Sequence, residues 1–288
     1  MDGETLPRAH RAEPAAAPGR MQRAEGRARI GFRRDGPHVR LTEFVQQGCC
    51  KIRLPRPEPG MPPDAVLLNT AGGITSGDVL TYEAAIGDGV DATVTTQAAE
   101  RIYRAVPGAA PARVANSVSV GAGGHVDWLP QETILFDRSA ISRSLDVDLA
   151  EDATALLLEA YVFGRTAMGE RATTLTLADR WRVRRAGRLV YADGIALDGD
   201  VASLMARGAT AGGQVAIASL VLVAPGAEER LGTVRERLET CIGEVGASAL
   251  RGLLSLRFLA PSGQALRRDL ESVILALRGR PMPRVWSC

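Results

Sequence analysis

The stretch VLTYEAAIGDGVDATVTT, residues 79–96, decides the fold class. Apolar residues alternate with more polar neighbours on both sides of a Gly-Asp-Gly segment, namely at Leu80, Tyr82, Ala84, Ile86, Val90, Ala92 and Val94. A period of two places alternate side chains on opposite faces of a β-strand, and the glycines between the two runs are typical of a tight turn. The stretch therefore predicts two short strands joined by a turn.

The same pattern extends on both sides of this stretch, from about residue 38 to residue 225. Short alternating runs recur and are separated by Gly, Asp and Pro, with apolar positions such as Ile52, Val118, Val126, Val147, Leu177, Trp181 and Ile217. Many short strands at this spacing are typical of a β-sandwich. We therefore predict a mainly β fold with a large, mainly antiparallel body, built as a sandwich or as helix-like layers.

The C-terminal part changes to a helical period. One apolar stripe comprises Leu231, Val234, Leu238, Cys241 and Ile242, and a second comprises Leu266, Leu270, Val273, Ile274 and Leu277. Spacings of three and four residues place such side chains on one face of a helix. Between them, Leu254, Leu256 and Phe258 alternate as in a strand. The sequence thus predicts two C-terminal helices packed on the β body.

Composition excludes several classes of protein. The chain has 288 residues, of which 45% are hydrophobic and only 4% aromatic, and its net charge is +2. This charge gives no basic surface for nucleic acid, and no apolar run approaches the length of a membrane helix. Residues 1–28 are rich in Ala, Arg, Pro and Glu without an apolar period, so we predict a disordered N-terminal tail. We expect no nucleic-acid partner and no membrane partner.

Cysteine and histidine usage points away from a stable metal site. The cysteines are Cys49, Cys50, Cys241 and Cys288, without a CxxC motif, and the chain has three histidines. If Cys49 and Cys50 both lay in one strand, their side chains would point to opposite faces. We predict a reduced, cytoplasmic protein without a resident metal or cofactor. Standard catalytic signatures such as HExxH and GxSxG are also absent, so we do not predict an enzyme.

The densest group of turn residues is NTAGGITSGD, residues 69–78. It lacks both the GxxxxGK[ST] pattern and the GxGxxG pattern, so a phosphate-binding loop is not supported. A tight connection between strands that requires positive φ angles remains the alternative.

Carboxylates suggest two further sites. Glu132 and Asp137 could form the acid–base pair of a hydrolase, although nothing in the sequence places a nucleophile beside them. Glu159 lies in the otherwise apolar run LLLEAYVF, where a carboxylate is paired, exposed or functional. Arg165 and Glu170 could form an ion pair across a turn.

Five segments, in this order and spacing, resemble the urease accessory protein UreD family, called UreH in some organisms. They are LNTAGGITSGD (68–78), TTQAA (95–99) with Tyr103 and Arg104, WLPQE (128–132), Gly164-Arg165 with Gly169-Glu170, and PRVW (283–286). The motif positions are Asn69, Gly72, Gly73, Gly77, Thr96, Gln97, Trp128, Pro130, Gln131, Glu132, Gly164, Arg165, Gly169 and Glu170. Ser76 departs from the family, which more often has Gly there. The resemblance covers residues 29–288 and implies a β-rich domain with C-terminal helices.

The resemblance also implies a function without catalysis. Members of this family bind the urease apoprotein and two other accessory proteins, the F protein and the GTPase G protein, and assist the insertion of nickel into the urease active site. Asp78 and Glu159 match acidic positions proposed to pass Ni²⁺ transiently, and Asp193 lies near a third. Carboxylates suit such weak binding better than a closed His/Cys site. A β-rich hydrolase using Glu132 and Asp137, or a stand-alone metal carrier, are the alternatives.

Overall fold

The fold was analysed in a computed structural model, which describes residues 23–165 and 168–287. The predicted tail therefore lies mostly outside the described residues, but its boundary at residue 28 is wrong. The first strand begins at Glu25, and Ala28 within it is fully buried. The sequence did not reveal this because Arg and Gly residues alternate with the small apolar residues here and weaken the apolar period.

The described residues form seventeen strands and three α-helices. The strands are β1 Glu25–Asp35, β2 His38–Gly48, β3 Cys50–Arg53, β4 Asp64–Asn69, β5 Val79–Ile86, β6 Asp91–Thr96, β7 Glu100–Ile102, β8 Ala112–Val120, β9 His125–Leu129, β10 Thr133–Leu135, β11 Ala140–Leu149, β12 Thr154–Phe163, β13 Thr174–Arg185, β14 Arg188–Asp200, β15 Ala216–Val223, β16 Glu244–Ala249 and β17 Leu253–Ala260. The helices are α1 Val201–Ala206, α2 Leu231–Leu238 and α3 Gly263–Arg278, and short 3₁₀ turns form at Ala227–Arg230 and Arg284–Ser287. The prediction of a mainly β fold is confirmed.

Two sheets form the body. Sheet A has the order β14-β13-β11-β8-β5-β1-β2, and sheet B has the order β16-β17-β15-β12-β9-β6-β4-β3, with β7 and β10 attached beside β12. From β4 to β13, apart from the short strands β7 and β10 of sheet B, the chain alternates between the sheets, so that the long strands within one sheet run parallel. Among the described strands, nine pairings are parallel and six are antiparallel. The prediction of a mainly antiparallel body is therefore wrong, whereas helix-like layers describe it well.

The turn at Gly87-Asp88-Gly89 explains this error. It does not close a hairpin but leads from β5 in sheet A to β6 in sheet B. Gly89 has a φ of +59°, and a Cβ atom on Gly87 would lie 2.7 Å from the carbonyl oxygen of Phe32. Glycine thus lets the chain turn sharply and pass close to β1. Because the alternation of side chains has a period of two in either direction, it cannot distinguish parallel from antiparallel pairing.

The core has two layers. The larger one lies between the sheets and includes Trp128 and Trp181, while the second lies between sheet B and the C-terminal helices and includes Phe258 and Trp286. Strand β12 is buried on both faces and contributes to both layers, which accounts for its long apolar run.

The two predicted C-terminal helices are present, and a short third helix, α1, was not predicted. Helix α3 buries the predicted stripe from Leu266 to Leu277. Its N-cap Ser262 accepts a hydrogen bond from the Ala265 amide, and Gly279 ends it in the left-handed conformation. Helix α2 is shorter than expected, because it ends at Leu238 before Cys241 and Ile242. No helix in residues 23–165 and 168–287 is long and apolar enough to cross a membrane.

Candidate functional site

Four of the five motif segments meet at one end of sheet B. They follow β4, β6, β9 and β12, which are adjacent and parallel, so their carboxyl ends lie at the same edge. Loops at the carboxyl ends of neighbouring parallel strands commonly form binding sites, because different parts of the chain converge there. The parallel arrangement therefore brings together residues that are up to about a hundred positions apart in the sequence.

A cavity of about 150 Å³ lies at this end, with walls from both sheets. Motif residues form much of its wall, namely Asn69, Gly72, Thr96, Gln97, Trp128, Pro130 and Gln131. Further residues that the sequence analysis did not single out also line it, namely Tyr82, Glu100, Asn116, Thr133 and Arg143. The cavity wall thus combines apolar side chains with amide, hydroxyl and charged groups.

The glycine-rich loop is shaped by local packing. The Asn69 side chain accepts a hydrogen bond from the Ala71 amide at 3.0 Å, which is an Asx turn. Gly72 and Gly77 have φ angles of +81° and +83°, and a Cβ atom on Gly73 would overlap the ring of Tyr103. The interpretation of this segment as a turn that needs positive φ angles is therefore confirmed.

Ser76, the departure from the family pattern, is accommodated within this loop. Its side chain is fully buried, and its hydroxyl oxygen accepts a hydrogen bond from the Val106 amide at 2.9 Å. The hydroxyl thus satisfies a backbone donor of the next loop, and the loop closes around the larger side chain.

The fifth motif segment, PRVW, packs against the third. The Gln131 side-chain amide donates to the carbonyl oxygen of Val285 at 3.1 Å, and the Trp286 indole N–H donates to Thr95 Oγ1 at 3.1 Å. Arg267 from α3 donates to the Trp286 carbonyl oxygen at 2.9 Å and pairs with Glu132 at 3.1 Å. Gln131 and Glu132 therefore hold the C-terminal segment against the cavity end of sheet B.

The segment after β12 forms the predicted ion pair. Arg165 pairs with Glu170, and its guanidinium lies 4.5 Å from the centre of the Phe136 ring. Gly164 has a φ of +86°, and a Cβ atom there would lie 2.6 Å from the carbonyl oxygen of Glu170. Gly169 also has a positive φ of +73°. Arg165 and Glu170 therefore lie together at the carboxyl end of β12.

Glu159 lies in the interior between the sheets. Its side chain is 2% exposed, and it pairs with Arg143 at 2.9 Å. The Trp128 indole donates to the carboxylate at 3.4 Å, and Arg143 also donates to Thr133 Oγ1 at 2.8 Å. Burial raises the pKa of Glu159, and the neighbouring guanidinium offsets this only in part. Trp128 and Arg143, which both line the cavity, thus contact the Glu159 carboxylate directly. Thr133 is linked to it through Arg143.

Two other carboxylates lie near the same guanidinium. Arg143 stands directly opposite Asp179 in sheet A, and the partly buried Glu100 is also close enough for their charges to interact. Burial raises the pKa of both carboxyls. Three carboxylates therefore lie near one buried arginine, and burial opposes the ionisation of each of them.

Buried polar atoms without partners lie in this cluster. Arg143 Nε, Tyr161 Oη and Asp179 Oδ1 are buried and make no hydrogen bond within the described part of the chain. Such groups ordinarily bind water or an ion. The sequence analysis missed Glu100, Arg143 and Asp179. Arg143 lies in phase with the buried Ile141 and Leu145, and Asp179 lies in phase with the buried Leu177 and Trp181, so the period of two did carry a signal for these two residues.

Asp78 and Asp193 lie in other surroundings. Both oxygens of Asp78 accept backbone hydrogen bonds at 2.8 Å, from the amides of Ala24 and Thr75. Asp193 on β14 pairs with Arg257 of sheet B and accepts a hydrogen bond from the Tyr191 hydroxyl at 3.0 Å. Neither residue is part of the cavity wall, so the structure brings only Glu159 of the three predicted residues into contact with the cavity end.

Glu132 and Asp137 do not share a site. Glu132 pairs with Arg267, whereas Asp137 accepts hydrogen bonds from the Thr173 amide at 2.8 Å and from the Thr174 amide at 3.1 Å. Burial acts to raise the pKa of Asp137, but these hydrogen bonds outweigh it and lower the pKa. Each carboxylate thus has its own structural partners, and neither lines the cavity.

The fold and this end of the molecule define a two-sheet β protein whose apolar interior contains a small charged cluster beside a cavity. The chain matches the UreD urease accessory protein family over residues 24–287, and it belongs to that family. It is 49% identical over 274 residues to the urease accessory protein UreD of Rhizobium leguminosarum bv. viciae, which covers 94% of this chain and 98% of the relative. Its identity to UreD of Xanthobacter autotrophicus is 45% over 280 residues, with 96% of both chains covered. These findings confirm the resemblance of the five segments and place the chain among proteins of urease maturation.

Proposed function

We propose that this protein is a non-catalytic scaffold of urease maturation in the cytoplasm. It binds the urease apoprotein together with the F protein and the GTPase G protein, and Ni²⁺ passes through it on the way to the urease active site. Membership in the UreD family supports the accessory role. The reduced cysteines Cys49, Cys50 and Cys241 are consistent with the compartment.

One observation carries the part of the proposal that concerns nickel. Glu159 and Asp179 are buried, and Glu100 is partly buried, near the guanidinium of Arg143 and beside a cavity that opens among the family motifs. Burial raises the pKa of all three carboxyls, and hydrogen bonds and the Arg143 guanidinium offset this only in part. A divalent cation would favour their ionised forms, since a buried cation is tolerated only beside opposite charge.

The arrangement favours transfer over storage. In the described part of the chain, no three His, Cys, Asp or Glu side chains converge on one ion position. The carboxylates are instead spread through the interior, and an ion would meet them one at a time. Oxygen ligands without a closed coordination shell bind Ni²⁺ weakly, so that it can move on.

Asp78 and Asp193 are less available to nickel than Glu159 is. Both oxygens of Asp78 already bind backbone amides, and Asp193 already pairs with Arg257. Nickel would have to compete with these bonds, whereas the carboxylates around Arg143 outnumber their partner. We therefore assign the main role to Glu159, and a role for Asp78 and Asp193 in nickel passage stays a prediction.

The motif end is the surface that we propose for partner contacts. Exposed apolar side chains lie on its loops, since Met168 is 76% exposed and Tyr103 and Val106 are each 36% exposed. Exposed apolar groups beside polar ones are common in interfaces between proteins. An ion delivered by one partner would then reach the cavity without crossing bulk solvent.

The test is Glu159→Gln, which keeps the shape of the side chain and removes its charge. The matched control is Asp148→Asn, because Asp148 lies on the exposed outer face of β11. We expect both variants to co-purify with urease and the F and G proteins. Nickel bound to urease, measured by elemental analysis, should fall at least about 10-fold for Glu159→Gln and stay unchanged for the control.

Two outcomes would contradict parts of this proposal. Full nickel loading by an assembled Glu159→Gln complex would exclude the passage through this interior but leave the scaffold role intact. Failure of the unmodified chain to bind urease or the other accessory proteins would exclude the scaffold role. Hydrolysis by Glu132 and Asp137 has no support from their positions, and a stand-alone carrier would need tight nickel binding by the isolated chain.

A further inference from the structure

The side chain of Arg143 lies between the cavity and the buried carboxylates. Arg143 lines the cavity, and so does Thr133, to whose Oγ1 atom the guanidinium donates at 2.8 Å. Glu159 and Asp179 belong to the same cluster, but neither of them lines the cavity. Glu159 is bonded to two cavity residues, Arg143 and the fully buried Trp128. Because the indole is bulky and enclosed, a cation from the cavity would reach Glu159 past the Arg143 guanidinium.

This guanidinium already occupies the place of a cation. Arginine stays protonated in proteins, and Arg143 pairs with Glu159 at 2.9 Å. Its charge also interacts with those of Asp179 and Glu100. Charges repel each other strongly in a buried cluster, because the protein interior screens them less than water does. Nickel and the Arg143 side chain therefore cannot occupy the position beside Glu159 at the same time.

Arg143 is held less firmly than another buried arginine of the molecule. All three side-chain nitrogen atoms of Arg278 donate hydrogen bonds to other residues. In Arg143, Nη1 donates to Thr133 and Nη2 pairs with Glu159, but Nε is buried and makes no hydrogen bond within the described part of the chain. A guanidinium that leaves one nitrogen unsatisfied loses fewer hydrogen bonds when it moves.

A second carboxylate is available to Arg143 on the cavity side. Glu100 lines the cavity, and its charge interacts with that of Arg143. The hydrogen bonds that Glu100 accepts within the described residues are long, at 3.4 Å from the Asn69 side-chain amide and 3.3 Å from the Arg101 backbone amide. A guanidinium that moved toward Glu100 would therefore keep a negative partner and would free Glu159 for another cation.

We propose that Arg143 is the gate of the nickel passage: its guanidinium occupies the cation position beside Glu159 and moves toward Glu100 when nickel enters. A monovalent cation would only replace one positive charge by another, whereas a divalent ion brings the additional charge that lets Glu159 and Asp179 ionise together. The returning guanidinium then competes with nickel for Glu159, so that the ion leaves. This inference rests on the proposed function, because it assigns a positioning residue within that passage.

The first test measures Ni²⁺ binding to the full-length chain by equilibrium dialysis. We expect Arg143→Gln to bind Ni²⁺ with an affinity at least about 10-fold higher than that of the unmodified chain, because a repelling charge is removed. The same substitution combined with Glu159→Gln should lose this gain, because Glu159 is the carboxylate that the gate covers.

Arg185→Gln is the matched control and should bind Ni²⁺ as the unmodified chain does. Arg185 is a partly buried arginine of sheet A whose Nε also makes no hydrogen bond within the described residues. It donates to the carbonyl oxygen of Ala153 at 3.2 Å and does not line the cavity. The control therefore removes a similar guanidinium that does not lie between the cavity and a carboxylate.

A second readout separates a gate from an arginine that only supports the fold. In the complex with urease and the F and G proteins, Arg143→Gln should retain more nickel on this protein, and nickel on urease should fall at least about 3-fold. Elemental analysis of the separated proteins measures both quantities. If Arg143 only supported the fold, its loss would lower both together, and that result would overturn the gate.

A charge-balanced variant covers the case in which Arg143→Gln alone fails to fold. Arg143→Gln combined with Asp179→Asn removes one charge of each sign, and it should show the same gain in nickel affinity over Asp179→Asn alone. Absence of the gain in this variant and in Arg143→Gln, or a gain that persists without Glu159, would overturn the gate. Loss of urease nickel in Glu159→Gln would then still support the passage, whereas unchanged urease nickel in that variant would overturn the passage and the gate with it.

Discussion

Asp127 and Glu159 are both buried carboxylates of sheet B, but they lie on opposite faces of it and have opposite electrostatic environments. Asp127 faces the helical layer, where Arg278 donates to it at 2.7 Å, Arg280 also pairs with it, and the His125 ring lies 3.0 Å away. Glu159 faces the interior between the sheets and shares Arg143 with two other carboxylates. Two guanidinium groups pair with Asp127, one of which also pairs with Asp91, whereas Glu159 pairs with one guanidinium, that of Arg143.

The pKa values follow this difference. Burial acts to raise the pKa of Asp127, yet the hydrogen bond from His125 and the two guanidinium groups outweigh it and lower the pKa. For Glu159 burial prevails, and the pKa is raised. Burial of a carboxylate therefore does not by itself indicate function. The ion pairs of Asp127 hold the fold together, whereas we propose that Glu159 interacts with a passing cation.

The largest effect is expected for Asp127→Ala, which would leave Arg278 buried without its counter-charge. Loss of one partner from a buried pair costs about 3–5 kcal/mol of unfolding free energy. Asp91→Ala is the matched control, because Asp91 pairs with Arg280 from a position that is 44% exposed. There we expect about 1 kcal/mol or less. Urea denaturation measures both, and equal losses would show that the Asp127 cluster is not a structural anchor.

A smaller effect is expected in the pH dependence of the free energy of unfolding, to which Glu159 and Asp127 should contribute in opposite directions. Because the folded state raises the pKa of Glu159 above the unfolded value of about 4.3, it binds more protons than the unfolded chain just above that pH. The free energy of unfolding therefore falls as the pH rises from about 4.3 toward the folded pKa. Glu159→Gln should flatten this fall.

Asp127 should contribute in the opposite direction. Its lowered pKa stabilises the fold above the unfolded value of about 3.9, and this contribution is lost as the pH falls further. Urea denaturation from about pH 3 to about pH 8 measures both slopes. An unchanged slope above pH 4.3 in Glu159→Gln would contradict the raised pKa.

The smallest effect is expected near Asp78. This carboxylate is also buried, and hydrogen bonds from neutral backbone amides stabilise its charge. One of its donors is the Ala24 amide. Deletion of residues 1–22 keeps this donor and the whole of β1, so we expect urease activation and thermal stability to stay within error. Deletion of residues 1–28 also removes the donor and the first four residues of β1, and it should lower the melting temperature measurably. Equal behaviour of the two truncations would show that the start of β1 contributes little.

Much of the fold could be predicted from the sequence, because the burial of alternate side chains is a local property. The period of two identified the strands, and the stripe from Leu266 to Leu277 identified α3. The direction of pairing is not local. Nothing in residues 79–96 indicates that the turn at Gly87 leads to another sheet, so the sequence analysis missed the parallel arrangement.

The candidate site shows the same limit. The family segments identified most of the cavity wall, because their residues had a recognisable order. Arg143 and Asp179 were missed because they are charged, although each shares the phase of buried apolar residues in its strand. That they lie close to Glu159 depends on the packing of the two sheets, which a single sequence does not show. Glu159 was noticed because its own strand is apolar on both faces.

The contacts of the C-terminal segment have a consequence for the order in which this molecule is made. Gln131 holds Val285, and Trp286 reaches Thr95 and Leu129, across separations of 154 to 191 positions in the chain. These contacts cannot form on the ribosome until residues 285 and 286 have been synthesised and have left the exit tunnel. The two sheets can assemble earlier, strand by strand. The cavity end is therefore completed after the sheets, and a chain that ends before Trp286 would present it unfinished.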